Sequence, residues 1–188
     1  MAREIAFTKL TQSNDARSAA GSIVPGNGDK TGTYSAANNW HPTYKVDFEI
    51  YAPDVNTIQA QIPKPVDQKP MVLRFLAGAQ SPILFTMHTS KKGLHEVEIH
   101  VTKSSGTDAE VVALKLVGSN GIITRYRMLT DITKGLDGQG RYQESLVQYE
   151  EIELVCTQWQ LENFKILKDD KTTAGEYDFR EPNRGKTK

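Results

Sequence analysis

Residues 71–164 form one nearly continuous run of sheet-building segments, and this run confines the chain to a mainly antiparallel β fold. It comprises MVLRFLAG, SPILFTMHTSKKG, LHEVEIHVTK, EVVALKLVG, GIITRYRML and ESLVQYEEIELVCTQWQLENF. Gly, Ser and Asp turns separate the segments, and side chains alternate within them as strands with one buried face require. In LHEVEIHV, Val97, Ile99 and Val101 share one face while Glu96, Glu98 and His100 share the other. The fold class expected is a small antiparallel β-barrel or sandwich with one short α-helix on its side and long loops.

The helix is expected at Ser81. Its hydroxyl can cap an N-terminus, and Pro82 then occupies the first helical position, where its missing N–H costs nothing. Ile83, Leu84 and Met87 fall at helical spacing, and Lys91, Lys92 and Gly93 supply a basic last turn and a stop.

Upstream, residues 4–10 read as a first strand. Residues 11–39 are rich in Ser, Gly, Asn, Asp and Ala and read as a long mobile loop. YKVDFEIY (44–51) alternates strictly, with Val46, Phe48 and Ile50 on one face. Residues 52–70 carry Pro53, Pro63, Pro65 and Pro70 and read as an extended, projecting loop. Val55, Ile58 and Ile62 in it need cover, either from a neighbouring subunit or from the barrel itself. Downstream, SNG (119–121) reads as a hairpin turn and DITKGLDGQG (131–140) as a flexible loop. The last strand is long enough to need a bend or bulge midway. Residues 1–167 are thus expected to form a single domain, and 168–188 a polar tail.

No catalytic constellation emerges. The four histidines are scattered, and His95 and His100 lie on opposite strand faces, so no metal site is expected from them. No phosphate-cradling Gly-rich loop and no nucleophile elbow is present. Glu150, Glu151 and Glu153 form a carboxylate cluster; Glu151 and Glu153 share a face that reads as solvated or interface-facing, with no partner acid for general acid–base work. Arg125 and Arg127 flank Tyr126 and read as cross-strand ion-pair partners. Cys156 excludes an intrachain disulfide and reads as a buried, inert thiol.

Lys plus Arg and Asp plus Glu number 23 each, a balance that offers no bulk attraction to nucleic acid or anionic lipid and permits self-association. The N-terminus lacks a signal-peptide apolar run and no segment reaches membrane-helix length. The expectation is a cytoplasmic protein that, if exported, leaves without a cleaved leader.

Ser81-Pro82-x-Leu84 followed by a short helix, a turn at Gly93 and LHEVEIHVTK resembles the haemolysin-coregulated protein (Hcp) family, the inner-tube proteins of type VI secretion systems. EVVALKLVGSNGIITRY, ending in Ile123-Thr124, and ESLVQYEEIELVCTQWQLEN, with Glu150-Glu151-Ile152-x-Leu154, resemble the strands that follow. The resemblance covers residues 71–164, and YKVDFEIY with the proline-rich loop fits the second strand and extended loop. Residues 11–39 look inserted, Phe75 to Gln80 replace the usual Lys-x-x-Asp, and the tail lacks the usual ending. The resemblance implies a barrel whose copies close into homo-hexameric rings that stack into a tube. It implies sheath, baseplate or spike components and effectors as partners, with no cofactor, no enzymatic reaction, no nucleic acid and no membrane insertion. Val55, Ile58, Ile62, Glu151 and Glu153 are the candidate subunit-interface residues. The competing reading is a monomeric β-barrel binding module for a small ligand or carbohydrate, with Trp40 and Trp159 lining its pocket; a metal-dependent enzyme is a third.

Overall fold

A computed structural model describes residues 5–14, 20–27, 33–51, 67–104, 110–136, 138–164 and 171–178. The strands are β1 (Ile5–Ser13), β2 (Ala20–Ile23), β3 (His41–Asp47), β4 (Ile50–Tyr51), β5 (Asp67–Gln68), β6 (Met71–Leu76), β7 (Gly93–Ser104), β8 (Glu110–Leu136), β9 (Tyr142–Phe164) and β10 (Lys171–Asp178). One helix, α1 (Ser81–Thr89), lies between β6 and β7. Antiparallel pairings run β9-β6-β3-β1-β7-β8 and close through β8–β9, so six strands form a complete circuit. β2 extends the sheet from β1, and β10 extends it from β9. This matches the mainly β, antiparallel fold expected from the sequence.

Alternation builds the core. In β6, Met71, Leu73 and Phe75 are buried while Val72, Arg74 and Leu76 are half-buried. Leu94, Val97 and Ile99 of β7 join them with Ile152 and Leu154 of β9, and Leu84 and Met87 of α1 add the helix's apolar face to the same cluster. That burial, and not helix propensity, holds a helix of nine residues.

The helix ends differ from the sequence expectation. Ser81 is the first helical residue, not the cap; Gln80 precedes the helix with no side-chain capping bond. The Ser81 hydroxyl instead accepts the Gly78 N–H at 2.9 Å. At the other end the left-handed position is taken by Lys91 (φ 55), not by Gly93, which already belongs to β7. Lys92 N–H reaches Met87 O at 3.0 Å and Lys91 N–H reaches His88 O at 3.4 Å, the paired bonds of a Schellman end.

Five further expectations are corrected. First, SNG (119–121) makes no hairpin, because β8 runs unbroken for 27 residues. Ladders on both sides hold it: Glu96↔Ser119 and Leu94↔Gly121 on one edge, Gln158↔Ser119 and Cys156↔Gly121 on the other. The turn chemistry survives as a kink. Asn120 sits at φ 52, and the inward set of β9 changes parity across the same point, from Ile152, Leu154 and Cys156 to Trp159. The bend expected in the last strand is therefore shared by its partner.

Second, 131–140 is not mainly loop. Asp131–Leu136 continue β8, and the chain reverses only between Leu136 and Tyr142. Third, residues 11–39 carry the end of β1, strand β2 and a 3-10 turn (Ala36–Asn38). Tyr34 folds back on the outer face, stacked on Phe7 at 4.2 Å and edge-on to Trp40 at 5.2 Å. Aromatic contact supplies the burial that the segment's polar composition seemed to lack. Fourth, residues 171–178 of the polar tail form β10, which completes the β9 edge where β6 stops. The strand expected over 44–51 starts earlier, at His41, and breaks at Phe48 and Glu49.

Candidate functional site

The outward face of β6, β9 and β8 carries an ion-pair ladder. Glu151 is buried between two guanidiniums. It accepts from Arg74 Nε (3.1 Å) and Nη2 (2.8 Å), and from Arg127 through Nε (2.7 Å) and Nη2. One step along, Arg125 donates to Glu153 at 3.0 Å. The register explains both pairs, since Arg125 lies opposite Glu153 and Arg127 opposite Glu151. Burial pushes the Glu151 carboxyl up, but the hydrogen bonds and charges of Arg74 and Arg127 outweigh it and leave it below the usual carboxylate range. The cross-strand pairing expected for Arg125 and Arg127 is what the structure contains.

Glu150 points the opposite way, into the end of the barrel beside α1. Gln80 Nε2 donates to one of its oxygens and Tyr126 Oη to the other, at 3.1 Å. Desolvation raises its pKa despite those bonds. The Gln80 side-chain oxygen, Oε1, is itself buried without a hydrogen-bond partner among the described residues. Two neighbouring carboxylates thus have opposite environments, separated only by strand alternation.

Three of the histidines occupy separate places in the fold. His41 is buried in the barrel, and desolvation lowers it to about 4, so it is neutral. His88 Nδ1 lies 3.2 Å from Ile123 O and ties α1 to β8. His100 bridges Tyr34 Oη (3.0 Å) and Glu98 Oε1 (2.9 Å), and this bond, with Lys115 beyond it, holds Glu98 down to about 2. Among the described residues no group of three or more His, Cys, Asp or Glu side chains converges as a metal site. Burial pushes the Cys156 thiol up to about 12, far from a reactive thiolate.

Neither tryptophan is open to line a ligand pocket. Trp159 is buried in the core against Phe48, with ring centroids 4.9 Å apart. With the Gln68 amide oriented to satisfy both neighbours, it accepts from Trp159 Nε1 at 2.6 Å and donates to Cys156 O at 3.0 Å. Trp40 is buried among Tyr34, His100 and the Lys9 ammonium.

What the sequence reading missed is an arm. β6 follows β9 only as far as Tyr149, and β7 follows β8 only to Ile122. Beyond these points, apart from the Ala77 N–H bond to Gln148 O at 2.9 Å, β8 and β9 pair only with each other among the described residues, through to Leu136↔Tyr142. Met128, Ile132, Tyr142 and Leu146 lie exposed on this hairpin. The usable signal was the apolar spacing at 128, 132, 142 and 146, obscured because 131–140 read as loop. Of the other candidate interface residues, Val55, Ile58 and Ile62 lie outside the described residues.

No described helix is long and apolar enough to cross a membrane, which leaves membrane β-barrels unaddressed. Comparison of the sequence with protein-family models and with curated proteins finds no match. Comparison of the structure with solved ones does. Hcp1 from Salmonella typhimurium is similar at TM-score 0.61 and 16% identity, over 97% of this chain and 98% of that one. A type six secretion system protein is similar at TM-score 0.70 and 10% identity, over 98% and 100%. The secreted protein Hcp3 from Pseudomonas aeruginosa is similar at TM-score 0.56 and 15% identity, over 95% and 99%. The chain therefore has, along nearly its whole length, the fold of the Hcp proteins of type VI secretion.

Proposed function

We propose that the chain is a tube subunit of a type VI or related contractile secretion system. Six copies close into a ring, rings stack into a tube, and effectors travel in its lumen once the surrounding sheath contracts. The observation that carries this reading is the fold likeness over the whole chain, including the closed circuit of strands with one helix at its side. Ring closure needs heterologous contact, one surface of a subunit meeting a different surface of the next, and stacking repeats an axial contact without closure. The balanced charge of the chain fits such self-association.

The subunit acts by presenting surfaces and performs no reaction. Sheath, baseplate or spike components and effectors are its proposed partners, and export through the apparatus from the cytoplasm needs no cleaved leader. Val55, Ile58 and Ile62 in the proline-rich segment are proposed to contact a neighbouring subunit. Glu151 and Glu153 are proposed to support the interface by setting the ion-pair ladder between strands. The pocketed binding module is the weaker reading, since Trp40 and Trp159 are both committed to packing.

The test is the oligomeric state of the purified chain by light scattering and negative-stain electron microscopy. Rings of six are expected. A monomer at high protein concentration, with no rings on the grid, overturns the proposal. Deleting residues 54–66 is expected to leave the fold intact by circular dichroism while weakening assembly.

A further inference from the structure

The first turn of α1 rests on a carboxyl that water does not reach. Glu150 is 0% exposed, and each of its oxygens takes a hydrogen bond from a neutral group: Gln80 Nε2 on one, Tyr126 Oη on the other at 3.1 Å. The Ser81 hydroxyl, at the first helical residue, is a weaker third donor. Gln80 and Tyr126 also serve the helix directly. The Gln80 main-chain oxygen accepts the Ile83 and Leu84 N–H groups at 3.0 and 2.9 Å, which starts α1. Its side chain also donates to Leu76 O, at the end of β6, at 2.6 Å. The Tyr126 ring meets Phe85 of α1 at a centroid distance of 5.8 Å. One carboxyl of β9 thus gathers the end of β6, the start of α1 and a tyrosine of β8.

We propose that Glu150 is a proton-operated catch on the N-terminal end of α1, closed while the carboxyl carries a proton and released as it ionises. An ionised carboxylate is costly away from water, and hydrogen bonds from neutral groups return less of that cost than bonds from charged ones. Lifting the first turn of α1 lets water reach the carboxyl, so ionisation favours the lifted state. Burial raises the Glu150 pKa against the bonds of Gln80, Tyr126 and Ser81, which is the same preference seen from the closed side. The closed state carries a second cost. Gln80 Oε1 is buried with no hydrogen-bond partner among the described residues, and water admitted by lifting would satisfy it.

On the strands around this corner, Arg74, Arg125 and Arg127 pair with Glu151 and Glu153 on the opposite face. Burial, chiefly, pushes the Tyr126 hydroxyl up to about 12, so it stays a donor at neutral pH. The helix holds no Asp, Glu, Lys or Arg, and its His88 lies 3.2 Å from Ile123 O at the other end. His41 of β3 packs on Phe75, the residue opposite Glu150 in the β6–β9 ladder, and reaches Leu76 O through Asn27. Burial lowers it to about 4, so it is neutral where the catch works.

The test is amide hydrogen exchange of the full chain by mass spectrometry, from about pH 5 to about pH 9, each peptide corrected for its intrinsic rate. Protein concentration is held fixed so that any assembly is constant. A proton bound only in the closed state makes the local opening constant rise up to tenfold per pH unit above the ordinary carboxylate value. The rise levels off once the closed state ionises too. Peptides covering 77–89 are therefore expected to lose protection as pH rises in the parent chain. They should hold it in Glu150→Gln, which leaves His88 in place. Because the opening is local, these peptides should stay at least about tenfold less protected than those of β7 at every pH. Tyr126→Phe removes one donor but keeps the ring, and should move the levelling-off to higher pH. Parent and Glu150→Gln peptides that respond alike overturn the proposal. So does α1 protection equal to that of β7, since α1 would then open only with the whole chain. A levelling-off that Tyr126→Phe leaves in place overturns it as well.

Discussion

Gly118→Ala tests how closely β8 packs against Trp159 and Cys156 of β9. In the structure an added Cβ would lie 2.6 Å from Trp159 Cζ3, 2.7 Å from Cη2 and 2.8 Å from Cys156 Sγ. Unstrained carbon contacts need about 3.5–4.0 Å, so the neighbours must retreat by roughly 1 Å. Trp159 has little freedom to do so, being 2% exposed, packed on Phe48 and hydrogen-bonded to Gln68. Overpacking of this kind costs about 1–3 kcal/mol, and the immobile ring places the site in the upper half. Gly118 is not among the residues at positive φ, so the alanine backbone adds no strain and returns about 0.5 kcal/mol through the unfolded chain. The net loss expected is about 2 kcal/mol, or roughly 4–8 °C in melting temperature for a chain of this length. Urea unfolding followed by tryptophan fluorescence, at one fixed protomer concentration, measures it. Gly135→Ala is the control, since nothing lies within 4 Å of its Cβ position. Adding Cys156→Ala to Gly118→Ala should return part of the loss as a coupling of about 1 kcal/mol. A Gly118→Ala chain within about 0.5 kcal/mol of the parent would refute the close-approach argument.

Glu151→Gln should destabilise by about 2 kcal/mol: two charge-assisted contacts are weakened, discounted because Arg74 and Arg127 are 33% and 42% exposed and can rehydrate. Its carboxyl is held low, so its contribution is full above the unfolded value and lost as pH falls through the folded one; denaturant titrations down an acid pH series should show that loss only in the parent. Glu150 is the reverse case, its raised value meaning that the parent regains stability as pH falls through the folded pKa; Glu150→Gln should abolish that trend and be at least as stable as the parent at pH 7. Lys91→Gly should stabilise by roughly 0.5 kcal/mol in thermal melts, because glycine adopts the left-handed helix end without Cβ strain but loses more backbone entropy.

The sequence was most legible where side-chain period decides structure alone. MVLRFL alternates, and Met71, Leu73 and Phe75 are buried in turn. Leu84 and Met87 at helical spacing are the residues by which α1 is anchored. The ion pairs of Arg125 and Arg127 were foreseeable because opposite charges at alternate positions on neighbouring strands meet across a ladder. Glu151 was legible as an outward residue but not as a buried one; its cover comes from Arg74, far away in sequence.

The misreadings share a cause: local propensity was weighed without the partners that override it. Ser-Asn-Gly carries turn chemistry, but with β7 on one side and β9 on the other it survives only as a kink at Asn120. The polar segments at 33–40 and 171–178 have little apolar pattern of their own and gain structure from Phe7 and from the open edge of β9. Period and composition, being local, determined that this chain builds antiparallel strands with one short helix between two of them. Strand order, the closure of β8 on β9 and the arm beyond that closure depend on pairings between residues distant in sequence. Only the tertiary structure decided these, because a strand's hydrogen bonds do not specify which strand receives them.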